Sequence, residues 1–103
     1  MNFKHINYVL TVLTEGSITA ASKKLFVSQP ALSQTIKLIE QDLGAPIFDR
    51  STDPISLTYA GQRYVEAAQA MLDIDRNLRA EIAETKKEVH GRMRVGISSQ
   101  RGI

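Results

Sequence analysis

The stretch ITAASKKLFVSQPALSQTIK, from Ile18 to Lys37, decides the fold of this chain. Apolar residues recur in it at helical spacing, with a break at Phe26 and Val27. The apolar positions are Ile18, Ala21 and Leu25 before the break, and Leu32, Ile36, Ile39 and Leu43 from there onward. This pattern predicts two short helices joined by a tight turn.

The second of these helices is predicted to begin at about Ser28. The Ser28 hydroxyl can accept the backbone N–H of Ala31, and Pro30 suits a first helical turn because it has no N–H to lose. Side chains that can donate hydrogen bonds, none of them acidic, form the outward face: Gln29, Ser33, Gln34 and Lys37. This is the layout of a helix-turn-helix, whose second helix enters the major groove of DNA.

A further helix and a hairpin flank this pair. A helix is predicted over 3–15, with Asn2 as its N-cap and Gly16 ending it in the left-handed conformation, and Ser17 is predicted to cap the helix after it. After the third helix, Ala45-Pro46 prevents continuation, and two strands are predicted at 47–50 and 55–58 around a turn at 51–54. The expected fold class is therefore mainly α, a winged helix-turn-helix of three helices plus a β-hairpin wing.

One long helix is predicted after the hairpin, from about Tyr59 to Val89, with Thr58 as its cap. At 1.5 Å per residue it would reach about 45 Å, too long for so small a core to cover. Its apolar stripe has heptad-like spacing, which fits either a coiled coil or a helix packed on its own domain. The length of the helix favours the coiled coil, so we predict a dimer interface made of Tyr64, Ala68, Met71, Leu78 and Ile82. Beyond Gly91, alternating apolar residues predict one strand.

Composition narrows the class of protein. The chain has 103 residues and no cysteine, which excludes a disulfide framework and fits a reducing compartment. We find no signal peptide, no membrane-length apolar run, and no catalytic, phosphate-loop or metal-ligand motif. We therefore expect a cytoplasmic protein that is not an enzyme, does not contact a membrane and holds no cofactor in this fragment.

The charge of the chain supports DNA binding less directly than the helix pattern does. The net charge is +2, but the first sixty residues hold five basic and five acidic side chains. DNA-binding domains are usually clearly basic. Attraction to phosphate must therefore come from local placement of Lys23, Lys24, Lys37 and Arg50 on one side. Weak attraction predicts weak binding by a monomer, so the avidity of a dimer would supply much of the affinity.

The segments AASKKLFVSQPALSQTIKLIEQDLGAPIFDR, at 20–50, and LTYAG, at 57–61, closely resemble the N-terminal domain of LysR-type transcriptional regulators. The resemblance covers essentially the whole chain. It implies a winged helix-turn-helix at 1–58, with the helix-turn-helix at 18–37 and the recognition helix at 28–43. It also implies a linker and dimerisation helix at 59–90, and at 91–103 the first strand of a truncated effector-binding domain that takes a small-molecule effector.

The same resemblance implies partners and site residues. The partners are double-stranded DNA carrying an imperfect inverted repeat and a second copy of the chain, a homodimer that pairs into a tetramer in the full-length protein. The residues expected at base edges are Gln29, Pro30, Ala31, Ser33 and Gln34. Those expected at phosphates are Thr19, Lys24, Ser28, Lys37, Arg50 and Thr58.

Two positions depart from the family pattern. Gln34 stands where many members have arginine, so a preference for adenine, which matches the donor and acceptor of a glutamine, is expected. Asp53 stands where many members have a basic residue in the wing, and it should repel phosphate. The alternative function is a protein-interaction module built on the same scaffold. That module should show exposed apolar anchors on the face between Gln29 and Lys37, which is polar here.

Overall fold

Three helices form the N-terminal part of the chain. They are α1 (Phe3–Glu15), α2 (Ile18–Leu25) and α3 (Gln29–Leu43). The computed structural model describes residues 1–91, with side chains up to residue 86. The three predicted helices are therefore present within a residue of their expected bounds.

Side-chain caps start all three helices, as the sequence predicts. Each cap is an Asn or Ser oxygen that accepts the backbone N–H three residues later. The pairs are Asn2 with His5 at 2.8 Å, Ser17 with Ala20 at 3.0 Å, and Ser28 with Ala31 at 3.2 Å. Gly16 and Gly44 end α1 and α3 in the left-handed conformation, with φ of 81° and 91°. The boundaries of the helix-turn-helix are thus set by local backbone chemistry.

The core lies where the three helices meet the wing and the start of the last helix. Each of its side chains is at most 4% exposed. The buried apolar residues are Ile6, Val9, Val12, Ala21, Leu32, Ile36, Ile39, Ile47, Phe48, Tyr64 and Ala68. Burial of this apolar surface holds α3 against its neighbours and fixes which of its faces points outward.

The wing is a short antiparallel hairpin of β1 (Phe48–Asp49) and β2 (Ser56–Leu57), with Phe48 opposite Leu57. It is shorter than the predicted strands at 47–50 and 55–58. Ile55, predicted to begin the second strand, instead donates its N–H to the Gly16 carbonyl at 2.9 Å, outside the hairpin. The wing is thereby tied to the end of α1.

The last helix, α4 (Tyr59–Gly91), begins as predicted, because the Thr58 hydroxyl accepts the Gly61 N–H at 2.9 Å. Its residues up to Gln69 belong to the compact N-terminal unit. Gly91, predicted to open the next segment, is still helical, and the strand predicted beyond it lies outside the described residues. None of the helices within 1–91 is long and apolar enough to cross a membrane.

The interface predicted for α4 needs a correction. Tyr64 and Ala68 are 4% and 0% exposed because they pack in the core of their own chain. Packing in this core explains why Tyr64 and Ala68 continue the apolar stripe of α4. Because both side chains are buried, they offer no surface to a second subunit. Burial also raises the pKa of the Tyr64 hydroxyl, with a smaller contribution from the Asp42 carboxylate.

We expect any side chain at position 61 to destabilise the fold. A Cβ at this position would overlap the backbone carbonyl of Ile47, which cannot move aside as a flexible side chain would. In a helix, alanine is normally about 1 kcal/mol better than glycine. The overlap outweighs this gain, so we expect Gly61→Ala to lower the free energy of unfolding by about 3 kcal/mol, measured by urea denaturation.

Gly44→Ala is the matched control, because Gly44 has a φ of 91° but open space around the missing Cβ. We expect it to cost only about 1–2 kcal/mol, from backbone conformation alone. Equal losses in the two variants would contradict the close approach of α4 to Ile47.

Candidate nucleic-acid interface

Helix α3 presents its N-terminal half to solvent. Leu32, Ile36 and Ile39 are buried at helical spacing, so the opposite side of the helix faces outward. Gln29, Pro30, Ala31 and Gln34 are exposed, whereas Ser33 is half-buried on the flank of the apolar stripe. All five residues predicted to meet base edges thus lie within the first two turns, four of them fully accessible.

The electrostatics of this end of α3 favour an anion. Its first turn holds no acidic side chain, and the unpaired N–H groups of a helix N-terminus carry partial positive charge. The Ser28 hydroxyl uses its oxygen as the cap for Ala31 and keeps its own proton to donate. The start of α3 can therefore approach a phosphate while the residues after it reach into a groove.

The basic side chains predicted to bind phosphate lie on three different elements. Lys24 lies in the last turn of α2, Lys37 lies on α3, and Arg50 follows β1; all three are exposed, as is Thr19. Among the described residues, none of the three cations pairs with a carboxylate, since the ion pairs found there lie within α4. Their charges are available to an external anion.

Thr58 caps α4 as predicted, but its hydroxyl is not free for the phosphate contact that was also predicted for it. Its hydroxyl donates to the Pro46 carbonyl at 2.6 Å and accepts the Gly61 N–H at 2.9 Å. A hydroxyl has one proton to donate, and this one is already used within the chain. Thr58 joins the start of α4 to the wing, and we leave it out of the proposed phosphate contacts.

The wing carries more negative than positive charge. Ser51 donates both its hydroxyl and its N–H to the Asp49 carboxylate, which lowers the pKa of Asp49 and keeps it ionised. Asp53 is also exposed, so two carboxylates accompany Arg50. This distribution agrees with the expectation that the wing tip repels phosphate.

Two residues that matter at this surface were not predicted from the sequence. The Glu40 carboxylate accepts the N–H of Ile47 at 2.8 Å, which fixes the start of the wing to α3. Nothing in the sequence pattern marks this long-range contact. Phe26 lies in the turn of the helix-turn-helix, is 94% exposed and has a φ of 57°. The sequence did carry one signal for Phe26: it is an aromatic residue at a turn position where glycine is usual.

The part of α4 beyond Gln69 shows an exposed apolar row. Ile74, Leu78 and Ile82 are 68%, 53% and 49% exposed, and they recur every four residues. Residues four apart lie on the same side of a helix, so these three form one stripe. Met71, also predicted for the interface, is half-buried.

Among the side chains that the structure describes, those of residues 1–86, no group of three or more His, Cys, Asp or Glu could hold a metal ion.

Comparison with known proteins identifies the domain. Residues 3–62 match the model of the bacterial regulatory helix-turn-helix proteins of the lysR family. The chain belongs to this family. MetR of Haemophilus influenzae, an HTH-type transcriptional regulator, is 31% identical to the chain over 97 residues, which are 94% of the chain and 31% of MetR. The chain thus spans about a third of that regulator's length.

Solved LysR-family structures have the same fold. The DNA-binding domain of BenM, in complex with catB site 1 DNA, has a TM-score of 0.70 and 30% identity, over 89% of this chain and 96% of that one. Full-length LysG of Corynebacterium glutamicum, with its effector Arg bound, has a TM-score of 0.75 and 32% identity, over 85% of this chain and 30% of LysG. The mainly helical winged fold expected from the sequence is confirmed.

Proposed function

We propose that this chain binds double-stranded DNA sequence-specifically, as the DNA-reading and dimerising part of a LysR-type transcription regulator. One observation carries the proposal. The first two turns of α3 are capped, accessible, polar and free of acidic side chains, within a fold that BenM uses in a DNA complex. The N-terminal half of α3 would enter the major groove.

Base reading in this proposal rests on Gln29, Pro30, Ala31, Ser33 and Gln34. A glutamine amide donates and accepts at once, which matches the N6 donor and N7 acceptor of adenine. Phosphate contacts would come from Thr19, Lys24, Ser28, Lys37 and Arg50, which fix orientation but do not read sequence. The negative wing leaves most of the recognition to α3 and the turn before it.

The second copy of the chain would bind along the exposed apolar row of α4. Leu78 and Ile82, extended by Met71 and Ile74, offer a self-complementary stripe of the kind that pairs in coiled coils. A dimer would place two α3 helices on the two halves of an imperfect inverted repeat. Its avidity offsets the balanced charge of the N-terminal unit.

Regulation and location follow from the same proposal. LysG was solved with an effector bound, and LysG is about three times longer than the part this chain matches. We propose that a full-length regulator containing this domain responds to a small-molecule effector, pairs its dimers into tetramers and acts in the cytoplasm, where bacterial DNA lies. In that role it regulates transcription and catalyses no reaction.

Gln29 is the most direct test of base reading. Gln29→Ala keeps the Ser28 cap and Pro30, so the fold should be unaffected. Affinity for a duplex selected from a random pool should fall by about 1–3 kcal/mol, while affinity for a scrambled duplex stays the same because no charge is lost. Fluorescence anisotropy at one salt concentration measures both.

Gln41→Ala is the control, because Gln41 is an exposed glutamine in the C-terminal half of the same helix. It should leave both affinities unchanged. Equal losses on both duplexes for Gln29→Ala would place Gln29 outside the base contacts.

Lys37 tests phosphate binding. Lys37→Ala should weaken binding to all duplexes alike and reduce the slope of log affinity against log salt by about one. Lys4→Ala removes the same charge from the first turn of α1 and should leave the slope unchanged. The neighbours of Lys4, Asn2 and His5, lie beside the C-terminal end of α3 and not beside its start. A change in preferred sequence for Lys37→Ala would mean that Lys37 reads bases instead.

Leu78 tests the dimer. Leu78→Asp would bury an unpaired charge in a self-complementary interface, so we expect the variant to be monomeric at concentrations where the original chain is dimeric. Analytical ultracentrifugation measures the change. Asn77→Asp adds the same charge one residue away, off the stripe, and should leave the dimer intact. A monomeric original chain at micromolar concentration would contradict the proposed interface.

A further inference from the structure

Phe26 adopts a backbone conformation that its residue type disfavours. It follows α2 in the left-handed region, with φ 57° and ψ 42°. Its N–H donates to the Lys23 carbonyl at 3.3 Å, and the next N–H, of Val27, donates to the Ser22 carbonyl at 3.0 Å. This is the Schellman arrangement, in which glycine or asparagine usually holds the position that Phe26 occupies here. The local fold would form more readily without this side chain.

Packing does not account for the phenylalanine either. Its side chain is 94% exposed, more than any other large apolar residue among those described. A ring of this size loses a favourable contribution to stability when it remains in water. Because neither the turn nor the core needs the Phe26 side chain, we expect it to contact a molecule outside the chain.

The surroundings of Phe26 are cationic. It lines an open groove along α2 together with Thr19, Lys23 and Lys24, as well as Ser17, Ala20 and Glu15. Two ammonium groups and two hydroxyls thus share this groove with one carboxylate. Phe26 lies two residues before Ser28, in the turn that leads from this groove into α3. An occupant should therefore be anionic and should also offer an apolar surface.

We infer that Phe26 packs against a deoxyribose of the DNA strand that borders the major groove occupied by α3. A DNA strand alternates anionic phosphates with sugars that have apolar faces, which suits a groove of lysines around an aromatic ring. Lys23, Lys24 and Thr19 would bind the phosphates on either side. The contact is to the backbone, so it adds affinity on every sequence. This inference rests on the proposed DNA binding. It adds an uncharged residue, Phe26, to the residues that contact the DNA backbone.

Phe26→Asn is the deciding variant, because asparagine accepts the left-handed conformation and removes the ring. We expect the melting temperature to stay the same or rise by a few degrees. Affinity should fall about tenfold on both a duplex selected from a random pool and a scrambled duplex. The two salt-dependence plots should run parallel to those of the original chain, since no charge is lost.

Two control variants complete the experiment. Phe26→Leu keeps an apolar side chain and should lose less affinity than Phe26→Asn on both duplexes. Lys24→Ala should reduce the salt slope by about one, the change that Phe26→Asn must not produce.

Three outcomes would overturn the inference. Unchanged affinity in Phe26→Asn would mean that the ring does not contact DNA. Loss on the selected duplex alone would mean that the ring contacts a base, not a sugar. A changed oligomeric state of Phe26→Asn in ultracentrifugation would identify the partner as a second copy. Failure of the original chain to bind either duplex would instead refute the proposed function itself.

Discussion

The burial of one face of α3 is the constraint on which the rest of this structure depends. Leu32, Ile36 and Ile39 are buried in the core, and the Ser28 hydroxyl fixes where the helix begins. Together they determine that the first two turns of the helix are accessible and which side chains point outward. Buried apolar side chains of α1, α2, the wing and the start of α4 complete the same core, and a few polar contacts fix where the wing and α4 begin. Glu40 ties the wing to the helix, and Thr58 ties the wing to α4.

Charge placement explains how a nearly neutral unit can still bind a polyanion. The five acidic side chains of the first sixty residues lie outside the first turn of α3, whose N-terminal N–H groups add partial positive charge. Lys24, Lys37 and Arg50 have no carboxylate partner among the side chains of residues 1–86. The electrostatic field at the start of α3 therefore favours an anion, even though acidic and basic side chains balance over the first sixty residues. Low total charge should keep non-specific binding weak, so in the proposed function base contacts and dimerisation decide where the protein binds.

Local signals in the sequence were sufficient to predict where the helices begin and end. The contacts between residues far apart in the sequence could not be predicted. The caps at Asn2, Ser17 and Ser28 act within three residues, so the sequence predicts them correctly. The spacing of Tyr64 and Ala68 marks a buried face but not the partner that buries it, so spacing alone does not separate a core within one chain from a dimer interface. Of the five residues predicted to meet base edges, Gln29, Pro30, Ala31 and Gln34 are exposed because helix geometry alone orients them, and Ser33 is half-buried. The engaged hydroxyl of Thr58 and the exposed ring of Phe26 depend on tertiary structure, and no periodic pattern reveals them.

We propose that the start of α3 and the turn before it form the surface that meets DNA. Amide chemical shifts of the isotope-labelled chain, followed by NMR during titration with a selected duplex, show which residues contact the DNA. We expect the largest changes between residues 26 and 37, with little change in α1 and in α4 beyond residue 69. Largest changes on α1, or along the exposed row of Ile74, Leu78 and Ile82, would contradict it.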